Sequence, residues 1–168
     1  MTATQNQLHY RIKRWMYPGN RPNAVARFLN TVSAAQFGAG FLAPRRAVTL
    51  EVRGRSSGRT ISCPLVLVDF EGERYLVSML GSDVNWVRNV HAAGGLAVLR
   101  HRTSEPVRLI EVEPGRRPAI LRRYLDLAPG ARPHVPVDRH APLEEFARVA
   151  DRFPVFRVTP ARAPQPVA

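Results

Sequence analysis

The sequence has one cysteine, one lysine and, over its first 50 residues, no acidic residue at all. The single Cys63 excludes an internal disulfide and any metal site built from several cysteines. No apolar run approaches the roughly 18 residues that a transmembrane helix needs. No zinc motif, Ser-His-Asp set or pair of carboxylates is found at a readable spacing, so we expect no metal site. These absences favour a cytoplasmic protein.

What the chain does contain is arginine. The 25 basic residues include 24 arginines and only Lys13, and the formal net charge is +12. Arginine presents a planar fork of donors that suits phosphate and carboxylate, so an anionic partner is one interpretation. A GC-rich genome, which raises Arg, Ala, Gly and Pro together, is the other. The chain has no RNP-like, helix-turn-helix or zinc-finger pattern, so we expect no specific nucleic-acid partner.

The length of 168 residues and the content of 45% hydrophobic residues are typical of one folded domain. We divide the chain into a basic N-terminal extension at 1–19, a domain at 20–160 and a flexible tail at 161–168. The basic and aromatic residues of 8–37 suit either a solvated helix or peripheral contact with anionic lipid at the inner face of a membrane. A homodimer is a further open alternative.

Hydrophobic periodicity predicts an α+β protein built on a small, mostly antiparallel barrel with peripheral helices. The first helix is expected to begin near 20–23 and to end near Gly38 and Gly40, and Ser82 or Asp83 should cap the second. The predicted strands are 47–53, 60–70, 74–80, 96–101, 107–112 and 154–158, and the further helices are 84–93, 118–127 and 143–152.

The most informative segment is VRGRSSGRTISCPL, which joins the first two predicted strands. Gly54 and Gly58 bracket Arg55, Ser56 and Ser57, and another arginine follows. Such a turn can present backbone N–H groups, hydroxyls and fixed positive charge to one anion. An exposed hairpin turn that happens to carry arginines is the alternative.

Together with RYLVSMLGSDVNWVRNVHAAGG and DRFPVFRV, this segment resembles the deazaflavin-dependent nitroreductase and quinone reductase family. The blocks occur in the family's order and spacing over about residues 20–160. The resemblance implies the split β-barrel fold shared with FMN-binding flavoproteins. It also implies coenzyme F420, a deazaflavin with a phosphodiester and an oligoglutamate tail, as the cofactor. FMN, which lacks that polyanionic tail, is the alternative cofactor.

The resemblance implies a cofactor site in three parts. The turn would hold the anionic tail, the second strand and the end of the third would lie beside the deazaflavin, and the start of the second helix would lie near its phosphate or ring. The implied residues are Arg55, Ser56, Ser57, Arg59, Ser62, Cys63, Pro64, Leu65, Ser78, Met79, Leu80, Gly81, Asn85, Trp86, Val87, Arg88 and Asn89. For Trp86, core packing is an equal alternative.

Three features depart from the family pattern. Ser56 stands where members carry lysine, Ile61 replaces an arginine, and the segment before Trp86 is shorter. These departures bear on the identity of the cofactor, and Arg59 would have to compensate for the arginine that is missing.

The function implied is hydride transfer from reduced deazaflavin to a small electron-poor acceptor such as a quinone, an enone or a nitro compound. A non-enzymatic protein that binds a flavin or another polyanion is the alternative from a different class. No catalytic residue is assigned. Tyr124 is the nearest proton-donor candidate by residue type, with packing as its competing role.

Overall fold

A computed structural model describes residues 46–161, and these residues form a six-stranded barrel with helices around it. The strands are β1 Ala47–Arg53, β2 Thr60–Phe70, β3 Glu73–Val77, β4 Leu96–His101, β5 Thr103–Glu111 and β6 Val155–Pro160. The helices are α1 Asn85–Ala92, α2 Arg117–Leu127 and α3 Leu143–Ala147, with single 3₁₀ turns at Pro114–Arg116, Pro129–Ala131 and Ala150–Arg152. The predicted extension at 1–19 and the helix expected between 20 and 40 lie outside the described residues.

Every strand pairing in the barrel is antiparallel, in the order β1-β2-β3-β6-β5-β4, and β4 closes the ring on β1. The predicted α+β fold with a mostly antiparallel barrel is therefore confirmed. Closure leaves few unpaired strand edges. One such edge lies on β2 before Leu67, where the pairing with β3 begins.

The barrel interior follows from the alternation in β1. Val48, Leu50 and Val52 are almost fully buried and belong to one core cluster with side chains from β3, β4, β5 and β6. Helix α1 adds Trp86 and Val87 to the same cluster, so this helix packs against the interior of the barrel. The Trp86 ring meets Phe156 of β6 edge-on, with ring centroids 5.4 Å apart.

A second core cluster lies on the outer side of β2 and β3. Helices α2 and α3 place Leu121 and Phe146 there against Val68 of β2 and Val77 of β3. The inner and outer clusters meet at β2, and this strand therefore carries packing on both of its faces.

Arg117 fixes the connection between α2 and β6. Its guanidinium is 5% exposed and donates to the backbone oxygens of Val112, Ala150 and Phe153 at 2.7, 3.3 and 3.5 Å. It also pairs with Glu111 at 2.9 Å. The prediction of one helix over 143–152 is wrong: α3 ends at Ala147, and a 3₁₀ turn follows whose Ala150 carbonyl accepts a hydrogen bond from Arg117.

The third strand also ends earlier than predicted, at Val77 rather than residue 80. The Ser78 N–H donates to the Pro154 carbonyl at 2.9 Å, and the Ser78 hydroxyl donates to the Gly81 carbonyl at 2.6 Å. Gly81, at φ +88°, turns the chain away from the sheet. The Ser78–Pro154 bond extends the β3–β6 pairing by one residue, whereas the β2–β3 pairing ends at Leu76.

The remaining differences concern the ends of elements. Val84, not Ser82 or Asp83, occupies the N-cap of α1, and it makes no side-chain cap hydrogen bond. The Asp83 carboxylate instead pairs with Arg88 at 2.6 Å, because Arg88 lies on the exposed side of the first turn. Strand β5 begins at 103, four residues before its predicted start, since Thr103–Ser104 continue the hairpin pairing with β4.

Candidate functional site

The turn between β1 and β2 is held in shape by its two glycines. The Gly54 N–H donates to the Arg59 carbonyl and the Gly58 N–H donates to the Gly54 carbonyl, both at 2.8 Å. A Cβ on Gly54 would lie 2.8 Å from Ser57 Oγ and 3.2 Å from the Arg59 carbonyl oxygen. Gly58 has φ +66°, which favours glycine. Gly54 is thus required for space and Gly58 for backbone conformation.

Arg55 joins this turn to helix α1. Its backbone N–H and its guanidinium Nη1 both donate to Asn89 Oδ1, at 3.2 and 3.0 Å. Asn89 is 3% exposed, so a buried amide oxygen on the helix fixes an exposed arginine 34 residues away along the chain. Two of the segments that the resemblance singled out therefore meet through direct hydrogen bonds.

The turn carries positive charge that no nearby carboxylate neutralises. Arg53, Arg55 and Arg59 are exposed, and within residues 46–161 none of them has an acidic side chain within 4.0 Å. The Arg53 guanidinium lies beside Gly58, whose Cβ position would be 3.8 Å from Arg53 Nη2. An anion at this turn would meet three guanidinium groups, of which that of Arg55 is already oriented by its hydrogen bond to Asn89.

The serines of the turn are available to a ligand. Ser56 and Ser57 are exposed. The Ser57 hydroxyl accepts a hydrogen bond from the Arg59 N–H at 3.3 Å, and the Ser56 hydroxyl has no partner in the described part of the chain. The turn thus combines free hydroxyl and guanidinium donors on one exposed surface.

Beside this turn, β2 changes partners and leaves one edge open. Its residues 60–66 pair with β1, and Leu67 begins the pairing with Leu76 of β3. Continuing the β2–β3 register would set Leu65 opposite Ser78 and Cys63 opposite Leu80. The β2–β3 pairing nevertheless ends at Leu67 and Leu76, and the Ser78 N–H faces β6, where it bonds to the Pro154 carbonyl. Within residues 46–161 no strand pairs with this edge of β2 before Leu67.

We call the space between Ser62–Leu65 and Ser78–Gly81 the strand gap. Both stretches were singled out from the sequence, and the register places them on opposite sides of the gap. Pro64 lacks an N–H, so it leaves one fewer unpaired donor on this edge of β2. Met79 packs towards the outer core cluster and Leu80 towards the inner one. The gap therefore has apolar walls and ends near the arginine turn, as an amphipathic ligand requires.

The predicted residues of α1 divide into two groups. Asn89 faces the turn, and Asn85 and Arg88 are exposed. Trp86 and Val87 are buried in the inner cluster, so core packing accounts for both side chains and the Val87 side chain offers no surface to a ligand. Ser78 is likewise buried, and its hydroxyl donates a hydrogen bond to the Gly81 carbonyl. For these three residues the structure shows a structural role, and ligand contact stays a prediction.

Burial raises the pKa of one group on β2 and of one on α2. The pKa of the Cys63 thiol is raised to about 12. The pKa of the Tyr124 hydroxyl lies well above its ordinary value, and a thiolate at Cys63 would raise it further. Sequence reasoning considered Tyr124 only by residue type, and its burial in the outer core cluster depends on how α2 packs on the barrel.

Comparison with solved structures shows several proteins of similar fold. They include an F420-H2 dependent reductase, FDR-A, with 20% identity, a TM-score of 0.47 and coverage of 68% of this chain and 95% of that one. They also include the protein Atu2129, of unknown function, from Agrobacterium tumefaciens str. C58, with 12% identity, a TM-score of 0.51 and coverage of 68% and 48%. A putative pyridoxamine 5′-phosphate oxidase from Listeria innocua has 8% identity, a TM-score of 0.48 and coverage of 70% and 86%. At such identities the similarity concerns the fold alone.

No family model matches the chain, and neither does any curated protein. Over the described residues, no helix is long and apolar enough to cross a membrane. The same residues contain no cluster of three or more His, Cys, Asp or Glu side chains that could hold a metal ion.

Proposed function

We propose that this protein is an oxidoreductase that binds coenzyme F420 and reduces a small electron-poor organic acceptor. One observation carries the proposal. The arginine turn, bonded through Arg55 to Asn89 of helix α1, stands at the end of the strand gap. Two segments that are distant in sequence and that resemble the deazaflavin-dependent family are thus joined by hydrogen bonds.

The chemistry of this surface fits the two ends of the cofactor. The phosphodiester and glutamates of F420 are anionic, and the turn offers three arginines without carboxylate partners among the described residues. Each hydrogen bond between a guanidinium and such an anion is worth about 1.5–3 kcal/mol when it is well shielded from water. The deazaflavin ring is planar and largely apolar, which suits the half-buried Cys63, Leu65 and Leu80.

When bound, the reduced deazaflavin supplies a hydride. The role of the protein's own residues is to bind the deazaflavin and to shield it from water. Arg55, Arg59 and Ser56 would bind the tail and so fix the distance of the ring from the turn. The half-buried apolar walls of the strand gap would exclude water from one face of the ring and orient it towards an acceptor.

A fluorescence titration with F420 tests the proposal. We expect binding in the low micromolar range or tighter for the unaltered protein. Because Arg55 is exposed, we discount its contribution to about 1–2 kcal/mol, so Arg55→Ala should weaken binding about 5- to 30-fold. Arg148→Ala is the matched control, since Arg148, the residue that follows α3, is exposed and has no ion pair in the described residues. Equal affinities for the two variants would contradict the assignment of the turn.

FMN is a second candidate cofactor, and Ile61 favours it. Ile61 is 37% exposed beside the turn, where an arginine would add charge for a polyanionic tail. A bound yellow chromophore identified as FMN by mass spectrometry, with no response to F420, would select this candidate. Cofactor binding without turnover of any quinone, enone or nitro compound would instead indicate a binding protein.

A further inference from the structure

Ser56 lies in the middle of the arginine turn (residues 53–59), and its hydroxyl takes no part in shaping that turn. The shape comes from backbone hydrogen bonds made by the N–H groups of Gly54 and Gly58, each at 2.8 Å. Ser56 is exposed, as is every residue from 55 to 62, and its hydroxyl has no hydrogen-bond partner in the described part of the chain. The turn thus presents to solvent a hydroxyl that the fold does not require.

The neighbouring serine differs in both respects. The Ser57 hydroxyl oxygen accepts a hydrogen bond from the Arg59 N–H at 3.3 Å, and it lies 2.8 Å from the position that a Cβ on Gly54 would take. A group added to this oxygen would crowd the turn and disturb its internal bond. Of the two adjacent hydroxyls, only that of Ser56 can therefore be modified without rearranging the turn.

The charge around Ser56 is positive and unpaired. Arg53 and Arg55 precede it by three residues and by one, Arg59 follows it by three, and none of them has an acidic side chain within 4.0 Å in residues 46–161. Arg55 donates to Asn89 through Nη1, and its other guanidinium nitrogens form no hydrogen bond among the same residues. Guanidinium groups form short, charge-assisted hydrogen bonds with phosphate oxygens. A phosphate on Ser56 would lie among the cations of its own turn.

We propose that Ser56 is a phosphorylation site, and that its phosphate takes the place of the cofactor's anionic tail in the arginine turn. The effect on the cofactor rests on the proposed function. The phosphoryl donor is ATP, and the transferring enzyme is a protein kinase whose acidic substrate groove complements the flanking arginines. The Ser56 Oγ–phosphorus bond forms as the bond between the γ-phosphorus and the β,γ-bridging oxygen of ATP breaks. ADP leaves, and the hydroxyl proton passes through the kinase's base to water.

The phosphate would close the turn to the tail in two ways. A phosphoserine carries a charge of about −1.5 to −2 at pH 7, which neutralises much of the charge of the three arginines. It would also accept the hydrogen bonds that the tail needs. Because the phosphate is tethered within the turn, its effective concentration there is at least of millimolar order, so a free anion competes with it poorly.

The first experiment reports on the phosphate without any cofactor. Phosphoserine is incorporated during translation at position 56 or, as the matched control, at Ser104. Ser104 is exposed on β5 opposite Arg100, whose guanidinium already pairs with Glu51 at 3.1 Å. In a pH titration followed by phosphorus NMR, we expect the second phosphate pKa at position 56 to lie about 1 unit below that at position 104, because guanidinium groups favour the dianion. Equal values would overturn the placement of the phosphate.

The second experiment is the fluorescence titration with F420. Phosphoserine at position 56 should weaken F420 binding at least about 30-fold, and treatment with a phosphatase should restore it, whereas phosphoserine at position 104 should leave the affinity unchanged. If the unmodified protein binds no F420, the proposed function fails, and the NMR titration still decides whether the phosphate lies in the turn. If the unmodified protein binds F420 and phosphoserine at position 56 does not weaken it, only this inference is overturned.

The third experiment tests whether Ser56 is the residue that a kinase modifies. The unmodified protein is incubated with ATP and a protein kinase that selects serines preceded by arginine, and the product is mapped by tandem mass spectrometry. We expect one phosphoryl group, on Ser56, and slower transfer to Arg53→Ala because one flanking cation is lost. Phosphorylation of Ser57 or Ser104 in its place, or no phosphorylation at all, would overturn the assignment.

Discussion

Replacing Asn89 tests whether the bond between helix α1 and the arginine turn organises the site. In the structure one amide oxygen accepts two hydrogen bonds from Arg55, at 3.2 Å from the backbone and 3.0 Å from the guanidinium. The neutral bond is worth about 0.5–1.5 kcal/mol and the charged one about 1.5–3 kcal/mol. Since Arg55 is exposed, solvent screening reduces the sum to about 1–3 kcal/mol.

Asn89→Ala removes both bonds, and we expect the free energy of unfolding to fall by about 1–3 kcal/mol in urea. The turn would also lose the fixed direction of its arginine, so F420 affinity should fall about tenfold as the ligand must now order that side chain. Asn89→Asp separates the two effects. Its carboxylate still accepts from Arg55, which keeps the turn in place, yet it neutralises the charge that the ligand needs.

We therefore expect Asn89→Asp to unfold near the urea concentration of the unaltered protein and to bind F420 at least tenfold more weakly. Urea unfolding followed by circular dichroism and the fluorescence titration provide the two measurements. If both variants bind F420 as tightly as the unaltered protein, the bond to Asn89 does not organise a cofactor site and the reasoning is refuted.

Three further predictions concern positions with a defined physical role. Gly54→Ala should lower the free energy of unfolding by about 1–3 kcal/mol in urea, because its Cβ would lie 2.8 Å from another side chain of the turn, whereas Gly115→Ala, with nothing within 4 Å, should cost less than about 1 kcal/mol. Cys63, whose thiol pKa is raised by burial from its ordinary value of 9.0 to about 12, should react with iodoacetamide at pH 8 about 1000-fold more slowly in the folded protein than in urea, and equal rates would contradict its burial. Arg117→Met should cost about 3–5 kcal/mol, because it leaves three backbone carbonyls and Glu111 without their donor, and Arg117→Lys should recover only part of this in the same urea assay.

Much of the barrel could be predicted from the sequence because its strands alternate regularly. The alternation at 47–53 predicted β1 with its bounds, and the apolar run at 60–70 predicted β2. The predictions for the end of β3 and for the helix at 143–152 were wrong where residues form hydrogen bonds outside their own element. Past Val77 the Ser78 N–H bonds to Pro154 on the β6 side while the pairing with β2 has already stopped, and Arg117 bonds to the Ala150 carbonyl in the 3₁₀ turn after α3. These partners are distant in sequence, so no local pattern reports them.

The candidate site also has a part that local sequence predicts and a part that depends on tertiary packing. The turn could be predicted from its glycines and arginines, since both constraints lie within five residues. That Asn89 holds Arg55, that Leu65 would face Ser78 across a gap, and that Tyr124 is buried in the outer core cluster all depend on how the strands and helices pack. The resemblance placed most of these residues in one site, but only the fold shows that Trp86 and Val87 are committed to the core.

The central claim is that the arginine turn holds the anionic tail of a deazaflavin whose ring lies in the strand gap. The most direct measurement compares two ligands, F420 and the same deazaflavin without its phosphodiester and glutamates, on the unaltered protein and on Arg55→Ala. We expect the substitution to weaken F420 binding about 5- to 30-fold, more strongly at low salt, and to leave binding of the truncated deazaflavin unchanged. Equal effects on the two ligands, or no binding of either, would contradict the account.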